Sequence, residues 1–194
     1  MNKPFKEIYY PELVNDVQEI YWEHIDPLAA PSLVKIKPLR SLFIEKKPAF
    51  EKLHALRKKY PFLGPHMLLF NVPTKWSTEI HLDGINTITP RILSFNIPIT
   101  GCTIDCVTEF FDATVSDFWV DPMSMTRWLL PKKTPNKIFE YSLTTNPVLT
   151  NPQVPHRVNN QAGTEMRISI SWTIDPELSW ENICKYFDEQ GRSL

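Results

Sequence analysis

The sequence carries almost no net charge and no long apolar run near its start, and both absences restrict the partners it can have. Its 194 residues sum to a formal net charge of −1, so electrostatics gives no reason to expect nucleic acid or an anionic membrane as a partner. Residues 1–13 contain neither the apolar core of a secretion signal nor a stretch long enough to cross a bilayer. We therefore expect a cytoplasmic protein that binds neither nucleic acid nor membrane.

Cysteine and glycine are also scarce. The three cysteines, Cys102, Cys106 and Cys184, do not form an even set of disulfide bonds, and no histidine lies at a spacing that would complete a zinc site with them. Buried free thiols are the expected state. Only 5 glycines stand beside 18 prolines, which indicates short elements joined by stiff turns.

The overall composition is that of one folded domain. Hydrophobic residues make up 42% and charged residues 22% of the chain, and a chain of this length can bury a sizeable core. Leu13 and Val17 fall at helical spacing, and a second helix fits residues 48–60. The first 60 or so residues are therefore predicted to be helical.

From residue 66 onward the pattern changes from helical to strand-like. Short segments rich in Ile, Val, Phe and Thr are separated by Pro, Asn, Thr and Gly. The predicted strands are residues 66–72, 77–83, 90–99, 103–111, 137–143, 155–159 and 166–174. Many short strands with long returns favour a double-sheet jelly roll. A closing helix fits residues 179–190, with Ser179 as its N-cap and Gly191 just past its end.

These segments predict a mainly β fold with flanking helices, of the double-stranded β-helix (jelly-roll, cupin-like) kind. We expect a single domain over residues 1–194, with a helical flank at 1–62, a jelly-roll core at 63–175 and a C-terminal helix at 176–194. The least regular part, residues 112–135, fits two descriptions equally well. It is either a loop that closes over a substrate or an unparsed pair of strands.

The segment His81-Leu82-Asp83 is the first candidate for chemistry. In a strand, residues i and i+2 face the same side, with Cα atoms about 6.6 Å apart, so His81 and Asp83 can converge on one ion. His156 is available as a third ligand from a later strand. Two histidines and one carboxylate on one face suit non-haem Fe(II) and leave the opposite positions open for a chelating co-substrate and O2.

The His-x-Asp pattern occurs twice, so by itself it does not locate a site. The second copy is His24-Ile25-Asp26, which ends a helical stretch, precedes Pro27 and lies before the whole β-region. We interpret this copy as a helix-end histidine beside a turn aspartate.

The predicted strand at residues 166–174 places a polar row on one of its faces. Alternation puts Arg167, Ser169 and Ser171 on one side and Ile168, Ile170 and Trp172 on the other. A polar row facing a barrel interior is unusual unless the barrel holds a polar ligand. A guanidinium with a hydroxyl two residues further on can bind a carboxylate through two hydrogen bonds.

Together these residues resemble the Fe(II)/2-oxoglutarate-dependent oxygenase superfamily, over roughly residues 62–175. The shared pattern is His-x-Asp, a distal His and Arg-x-Ser, which here is His81-Leu82-Asp83, His156 and Arg167-Ile168-Ser169. The segment from His156 to Asn160 followed by Arg167 is also similar to the aspartyl/asparaginyl hydroxylase and free-proline hydroxylase branch. The aspartyl/asparaginyl enzymes lack the ligand carboxylate, so Asp83 departs from their pattern and their substrate is not carried over.

The resemblance implies a role for each matching residue. His81, Asp83 and His156 would be the catalytic metal ligands for Fe(II), and Arg167 and Ser169 would bind the distal carboxylate of 2-oxoglutarate. The implied activity is that of a dioxygenase, which uses O2 to convert 2-oxoglutarate to succinate and CO2. It would hydroxylate an unactivated C–H bond of a small metabolite, an amino acid or a peptide side chain.

Three further residues are candidates for substrate binding. Arg91 opens a predicted strand and would bind a substrate carboxylate, the C1 region of 2-oxoglutarate or a structural acidic partner. Asn96 is a hydrogen-bonding group for a ligand or a polar group satisfied between strands. Arg127 lies in the irregular segment, where it would meet an anionic substrate.

Two other functions are compatible with the same fold. One is a cupin-like metal-dependent isomerase or hydrolase, in which Arg167 would be a structural ion-pair residue. The other is a non-enzymatic jelly-roll binding module with a lapsed metal site, against which the three intact ligand types count. The substrate and the oligomeric state are not set by the sequence.

Overall fold

The computed structural model of the chain describes residues 3–25, 48–83, 92–122, 126–130 and 132–194. Its helices are α1 (Pro11–Ile20), α2 (Pro48–Lys59) and α3 (Trp180–Glu189), with a π-helical turn at Tyr21–Ile25 and a 3-10 turn at Val115–Asp117. None of the described helices has the length and apolar character needed to span a membrane.

Twelve strands are formed by the described residues. They are β1 (Phe5–Glu7), β2 (Leu63–Val72), β3 (Trp76–Ser77), β4 (His81–Leu82), β5 (Ser94–Thr100), β6 (Val107–Asp112), β7 (Phe118–Val120), β8 (Arg127–Leu129), β9 (Asn136–Ser142), β10 (Val148–Thr150), β11 (His156–Asn160) and β12 (Arg167–Ile174). One sheet has the order β1-β10-β5-β12-β2. The other has the order β7-β8-β4-β11-β6-β9, with β3 also paired to β11. All described pairs are antiparallel.

The strand pairing is that of a jelly roll. Four antiparallel pairs are nested along the chain: β2 with β12, β4 with β11, β5 with β10, and β6 with β9. Successive pairs alternate between the two sheets. A long hairpin rolled in this way gives two facing sheets of four strands each, to which the other strands are added at the edges. The predicted mainly β, jelly-roll fold is therefore confirmed.

Strand β12 separates the apolar core from the interior between the sheets. All eight of its residues are buried, so it is covered on both faces. Ile168, Ile170 and Trp172 belong to the main hydrophobic cluster, which also takes in residues of α1, α2 and α3. The helices therefore cover the outer face of the five-stranded sheet, while Arg167 and Ser169 on the other face of β12 are left to the interior between the sheets.

The closing helix is confirmed with its predicted caps. The Ser179 side chain accepts a hydrogen bond from the main-chain N–H of Asn182, at 3.2 Å, as an N-cap does. Gly191 follows the helix with φ of 66°, a conformation that glycine adopts without steric cost.

The expectation of a helical N-terminal region is wrong at its start. Residues Phe5–Glu7 form β1, which pairs with β10 and is the edge strand of the five-stranded sheet. The Phe5 ring packs against Tyr141 and Phe110, with centroids 4.9 and 5.9 Å apart. This tertiary contact outweighs a local helical preference that is weak in so short a segment.

The structure differs from the sequence prediction at three other places. The predicted strand at 77–83 is split into β3 and β4, because the Thr78 hydroxyl accepts the hydrogen bond of the Val158 N–H and interrupts the ladder. The irregular segment contains a strand pair, β7 with β8, so the second of its two descriptions is the right one for the described residues. Strand β10, only three residues long, was not predicted.

The contact between α1 and the end of α2 gives a prediction for alkaline pH. The Tyr60 hydroxyl donates to Asp16 Oδ2 at 2.6 Å, and burial together with this hydrogen bond raises the pKa of Tyr60 from 10.0 to about 12. A folded-state pKa above the unfolded value stabilises the fold fully below pH 10, and this contribution is lost as the pH rises through about 12. Tyr60→Phe should therefore cost about 1 kcal/mol at pH 8, and this cost should fall as the pH rises above 10.

Urea unfolding of the wild type and Tyr60→Phe from pH 8 to pH 12 measures this difference. Tyr9→Phe is the matched control, because Tyr9 is 54% exposed. A Tyr60→Phe difference that stays constant over the whole range would contradict the linkage.

Candidate metal centre

The two candidate histidine ligands, His81 and His156, lie opposite each other on neighbouring strands. His81 opens β4 and His156 opens β11, and the two residues are Cα partners in the antiparallel pair. Directly opposite residues in such a pair point to the same face, with Cβ atoms about 4.5–5.5 Å apart. Asp83 follows β4 two residues after His81, so the strand periodicity brings it to the same face.

The three side chains form a compact set of possible metal ligands. One ligand atom from each of His81, Asp83 and His156 lies within 4.8 Å of the other two. His81 Nε2 is 3.6 Å from Asp83 Oδ1, and the two imidazole centroids are 4.5 Å apart. Ligand atoms about 2.1 Å from an ion and at right angles stand about 3 Å apart, so small movements would close this cluster around one ion.

The hydrogen bonds of the two imidazoles fix which nitrogen is available. His81 Nδ1 is 2.8 Å from the carbonyl oxygen of Glu79, and His156 Nδ1 is 2.9 Å from that of Val154. A carbonyl oxygen can only accept, so each neutral ring carries its proton on Nδ1 and presents the lone pair of Nε2. This arrangement is common for metal-ligating histidines, whose second nitrogen donates to a carbonyl or a carboxylate.

A row of aromatic side chains extends the ligand face across the sheet. Trp128 on β8 is the Cα partner of His81, and Trp119 on β7 is the Cα partner of Trp128. On the other side, Phe110 on β6 is the partner of His156. Trp128 lies 5.0 Å from the His81 ring and Phe110 lies 5.9 Å from the His156 ring, so both flank the histidines and limit the access of water.

Arg167 occupies the interior between the two sheets. It opens β12 in the five-stranded sheet and is only 3% exposed. Its Nη1 lies 3.4 Å from Thr108 Oγ1, on β6 of the facing sheet, and 3.8 Å from Cys106 Sγ, just before β6. Its Nε has no hydrogen-bond partner. Among the described residues no carboxylate forms an ion pair with this guanidinium.

The groups around Arg167 cannot offset its charge at neutral pH. Burial raises the pKa of the thiols of Cys102 and Cys106. Burial also raises the pKa of the Tyr141 phenol, whose hydroxyl lies beside Arg167. All three neighbours are therefore uncharged at pH 7. A buried charge without a partner is costly, so this arrangement indicates a site that receives an anion.

The predicted partner Ser169 and the candidate Asn96 lie along the same interior face. Ser169 is 2% exposed, two residues beyond Arg167 on β12. Asn96 on β5 donates from Nδ2 to the Tyr141 hydroxyl at 3.1 Å and to Thr150 Oγ1 at 3.0 Å. Asn96 is thus a polar group with protein partners between strands, and its contact with a ligand stays a prediction.

Of the remaining candidates, Arg127 is described by the structure and is not brought to the ligand face. Arg127 on β8 is the partner of Leu82, so its side chain points to the face opposite that of His81 and Trp128. Arg91 and Asp26 lie outside the described residues. His24 falls within the π-helical turn after α1, outside the β-region.

Sequence reasoning missed four residues of this region. Trp128 and Trp119 join the ligand face through strand register, and Thr108 and Tyr141 reach Arg167 from β6 and β9. Register between strands distant in the chain leaves no local signal. The only available clue was the run of aromatic residues in the segment 112–135, which is hard to explain as an exposed loop.

No family model and no curated protein matches this chain. Among solved structures, it is similar to the crystal structure of a Pseudomonas putida prolyl-4-hydroxylase, with a TM-score of 0.48 and 13% sequence identity. The similarity covers 89% of this chain and 92% of that chain. Likeness at this level assigns neither a family nor an activity, so the function is inferred from this chain's own residues.

Proposed function

We propose that this protein is an Fe(II)- and 2-oxoglutarate-dependent dioxygenase that hydroxylates an unactivated C–H bond. His81, Asp83 and His156 would hold the iron. Arg167, aided by Ser169 and Tyr141, would hold the distal carboxylate of 2-oxoglutarate. Iron bound together with 2-oxoglutarate and O2 supplies an oxidant strong enough for such a bond.

The observation that carries this proposal is that the metal-ligand cluster and Arg167 both border the interior between the two sheets, from facing sides. The cluster of two histidines and one aspartate suits a ferrous ion, and the nearby guanidinium lacks a counter-charge. Strand β6 connects them, because Arg167 contacts Thr108 and the ring of His156 lies beside Phe110, two residues further along. Residues i and i+2 of a strand point to the same face, so the strand neighbours of Arg167 and of His156 lie side by side on β6.

The protein's own groups perform the positioning that this chemistry needs. The Glu79 and Val154 carbonyls hold the imidazoles so that Nε2 faces the cluster. Asp83 offsets only part of the charge of a ferrous ion, which leaves the site attractive to an anionic co-substrate. Trp128 and Phe110 keep bulk water from the histidines, and water exclusion limits side reactions.

We propose a small metabolite, an amino acid or a peptide side chain as the substrate, as in the hydroxylase branch that the motifs resemble. The Trp128 indole lies against the ligand His81, and Trp119, 47% exposed, continues the row outward. An apolar, C–H-bearing part of the substrate would pack on these two rings. Net charge close to zero gives no support to nucleobase oxidation.

Anaerobic addition of Fe(II) and then 2-oxoglutarate tests the proposal directly. Chelation of iron by the 2-oxo acid is expected to give a weak visible charge-transfer band that Fe(II) alone does not give. Succinate, which is not a 2-oxo acid and cannot chelate in the same way, is the matched control and should give no such band.

Each other outcome points to a different function. Iron binding without the band would favour a cupin-like isomerase or hydrolase and remove the co-substrate from the proposal. Failure to bind iron would leave a jelly-roll binding module. After a positive result, a screen of amino acids and peptides for stimulated succinate release would identify the substrate class.

A further inference from the structure

The turn between β10 and β11 contacts two of the proposed metal ligands, Asp83 just after β4 and His156 at the start of β11. The main-chain N–H of Asp83 donates to the Pro152 carbonyl at 3.2 Å, and the Gln153 side-chain amide donates to the Asp83 carbonyl at 3.2 Å. The next residue, Val154, accepts the hydrogen bond of His156 Nδ1. Three consecutive residues of the turn therefore set the placement of Asp83 and His156 relative to each other.

This turn is itself held in a defined conformation. The Asn151 side chain accepts from the main-chain N–H of Gln153 at 3.0 Å, and the Asn151 carbonyl accepts from that of Val154 at 3.2 Å. The Asn151 N–H donates to the Pro4 carbonyl at 2.8 Å, next to β1. The turn is thus anchored both internally and to the N-terminal strand.

Asp83 needs such support more than the histidines do. His81 and His156 lie within a paired ladder, whereas Asp83 follows the two-residue strand β4, outside its pairing. Its backbone N–H and carbonyl are both bonded to the 151–154 turn instead. Since a metal site tolerates misplacement of its ligands by only about 0.5 Å, the hydrogen bonds at this strand end bear directly on metal binding.

We infer that Gln153 is a positioning residue for the metal centre, which acts by holding the Asp83 carbonyl so that the carboxylate faces the two histidines. This inference rests on the proposed metal-binding function. Loss of an outer-shell partner of a metal ligand costs roughly 10- to 100-fold in metal affinity. Because Gln153 acts through the backbone of Asp83, the lower end of that range is expected.

The test is a titration of the full-length protein with Co(II) alone, whose visible absorption reports binding at the cluster without a need to exclude O2. Gln153→Met keeps the length of the side chain and removes its donor. Its dissociation constant for Co(II) should rise about tenfold, while thermal unfolding without metal shifts little. Gln161→Met is the matched control, because Gln161 is exposed and makes its hydrogen bond through its main chain. It should bind Co(II) like the wild type.

The result that would overturn the inference is wild-type Co(II) affinity in a folded Gln153→Met protein. A lower unfolding temperature with unchanged affinity would likewise overturn it, since Gln153 would then only stabilise the turn. If Gln153→Met does not fold, Gln153→Asn takes its place, with a shorter amide that does not reach Asp83 and the same expected loss. Absence of Co(II) binding in the wild type would instead remove the proposed function and this inference together.

Discussion

Replacing Asp83 with alanine is expected to weaken Fe(II) binding by more than about a hundredfold, beyond the roughly 10- to 100-fold cost of losing an outer-shell partner. Asp83 supplies the only carboxylate of the described cluster, 3.6 Å from His81 Nε2. Without it, the site keeps two neutral imidazoles and no negative charge to offset the ion. Calorimetric titration with Fe(II) under anaerobic conditions measures the change.

The fold of this variant should be preserved. Functional side chains are seldom chosen for stability, so the metal-free Asp83→Ala protein should unfold at nearly the wild-type temperature. Asp105→Ala is a control for the loss of one carboxylate, because Asp105 is exposed on the turn before β6. His24→Ala tests the other His-x-Asp copy. Unchanged iron affinity in Asp83→Ala and His156→Ala alike, or a loss in His24→Ala, would mean that the ligands are elsewhere.

The elements predicted best are those whose pattern is local. The segment Arg167–Ile174 alternates polar and apolar residues without a break, and the structure makes it one strand with the two faces that alternation gives. The helix Trp180–Glu189 carries its capping serine and its terminal glycine in the sequence itself. In both cases neighbouring residues contain all the information that the element needs.

Two strands of three residues each were missed, because their formation depends on pairing with distant parts of the chain. Strands β1 and β10 have three residues each, too few for a periodic signal. They form because β10 pairs with β5 and β1 pairs with β10. Both strands nevertheless help to position the candidate site. Strand β10 leads into the 151–154 turn, and Pro4 beside β1 anchors that turn. Tertiary contacts of this kind are absent from the local sequence pattern.

The candidate site also has a part that the sequence predicts and a part that it does not. The types of its ligands and the order of the motifs are visible in the sequence, since imidazole, carboxylate and guanidinium chemistry is carried by the side chains themselves. The surroundings are not visible. Trp128 reaches His81 through strand register, and Gln153 and Val154 act on the ligands through backbone carbonyls, which every residue type possesses. Contacts made through strand register or through backbone carbonyls do not require a particular residue type, so the sequence does not predict them.

Replacing Arg167 with lysine is expected to raise the dissociation constant for 2-oxoglutarate by about one to two decades, because losing hydrogen bonds to a charged group costs about 1.5–3 kcal/mol. Lysine keeps the charge but lacks the planar fork that binds a carboxylate through two parallel hydrogen bonds. Arg167→Met, which removes the charge as well, should lose more 2-oxoglutarate affinity than Arg167→Lys. Iron affinity should change little in both variants. An anaerobic 2-oxoglutarate titration of the iron-loaded proteins gives these constants.

Stability of the same variants distinguishes a binding role from a structural one. Since Arg167 is buried without a described anionic partner, Arg167→Met should leave the ligand-free protein as stable as the wild type or more stable. Arg157 is the matched control. It is bonded to the buried Glu109 at 2.5 Å, so Arg157→Met should destabilise the fold and leave 2-oxoglutarate affinity unchanged. If instead Arg167→Met unfolded at a much lower temperature and Arg167→Lys bound 2-oxoglutarate like the wild type, Arg167 would be a structural residue and the cupin-like alternative would be favoured.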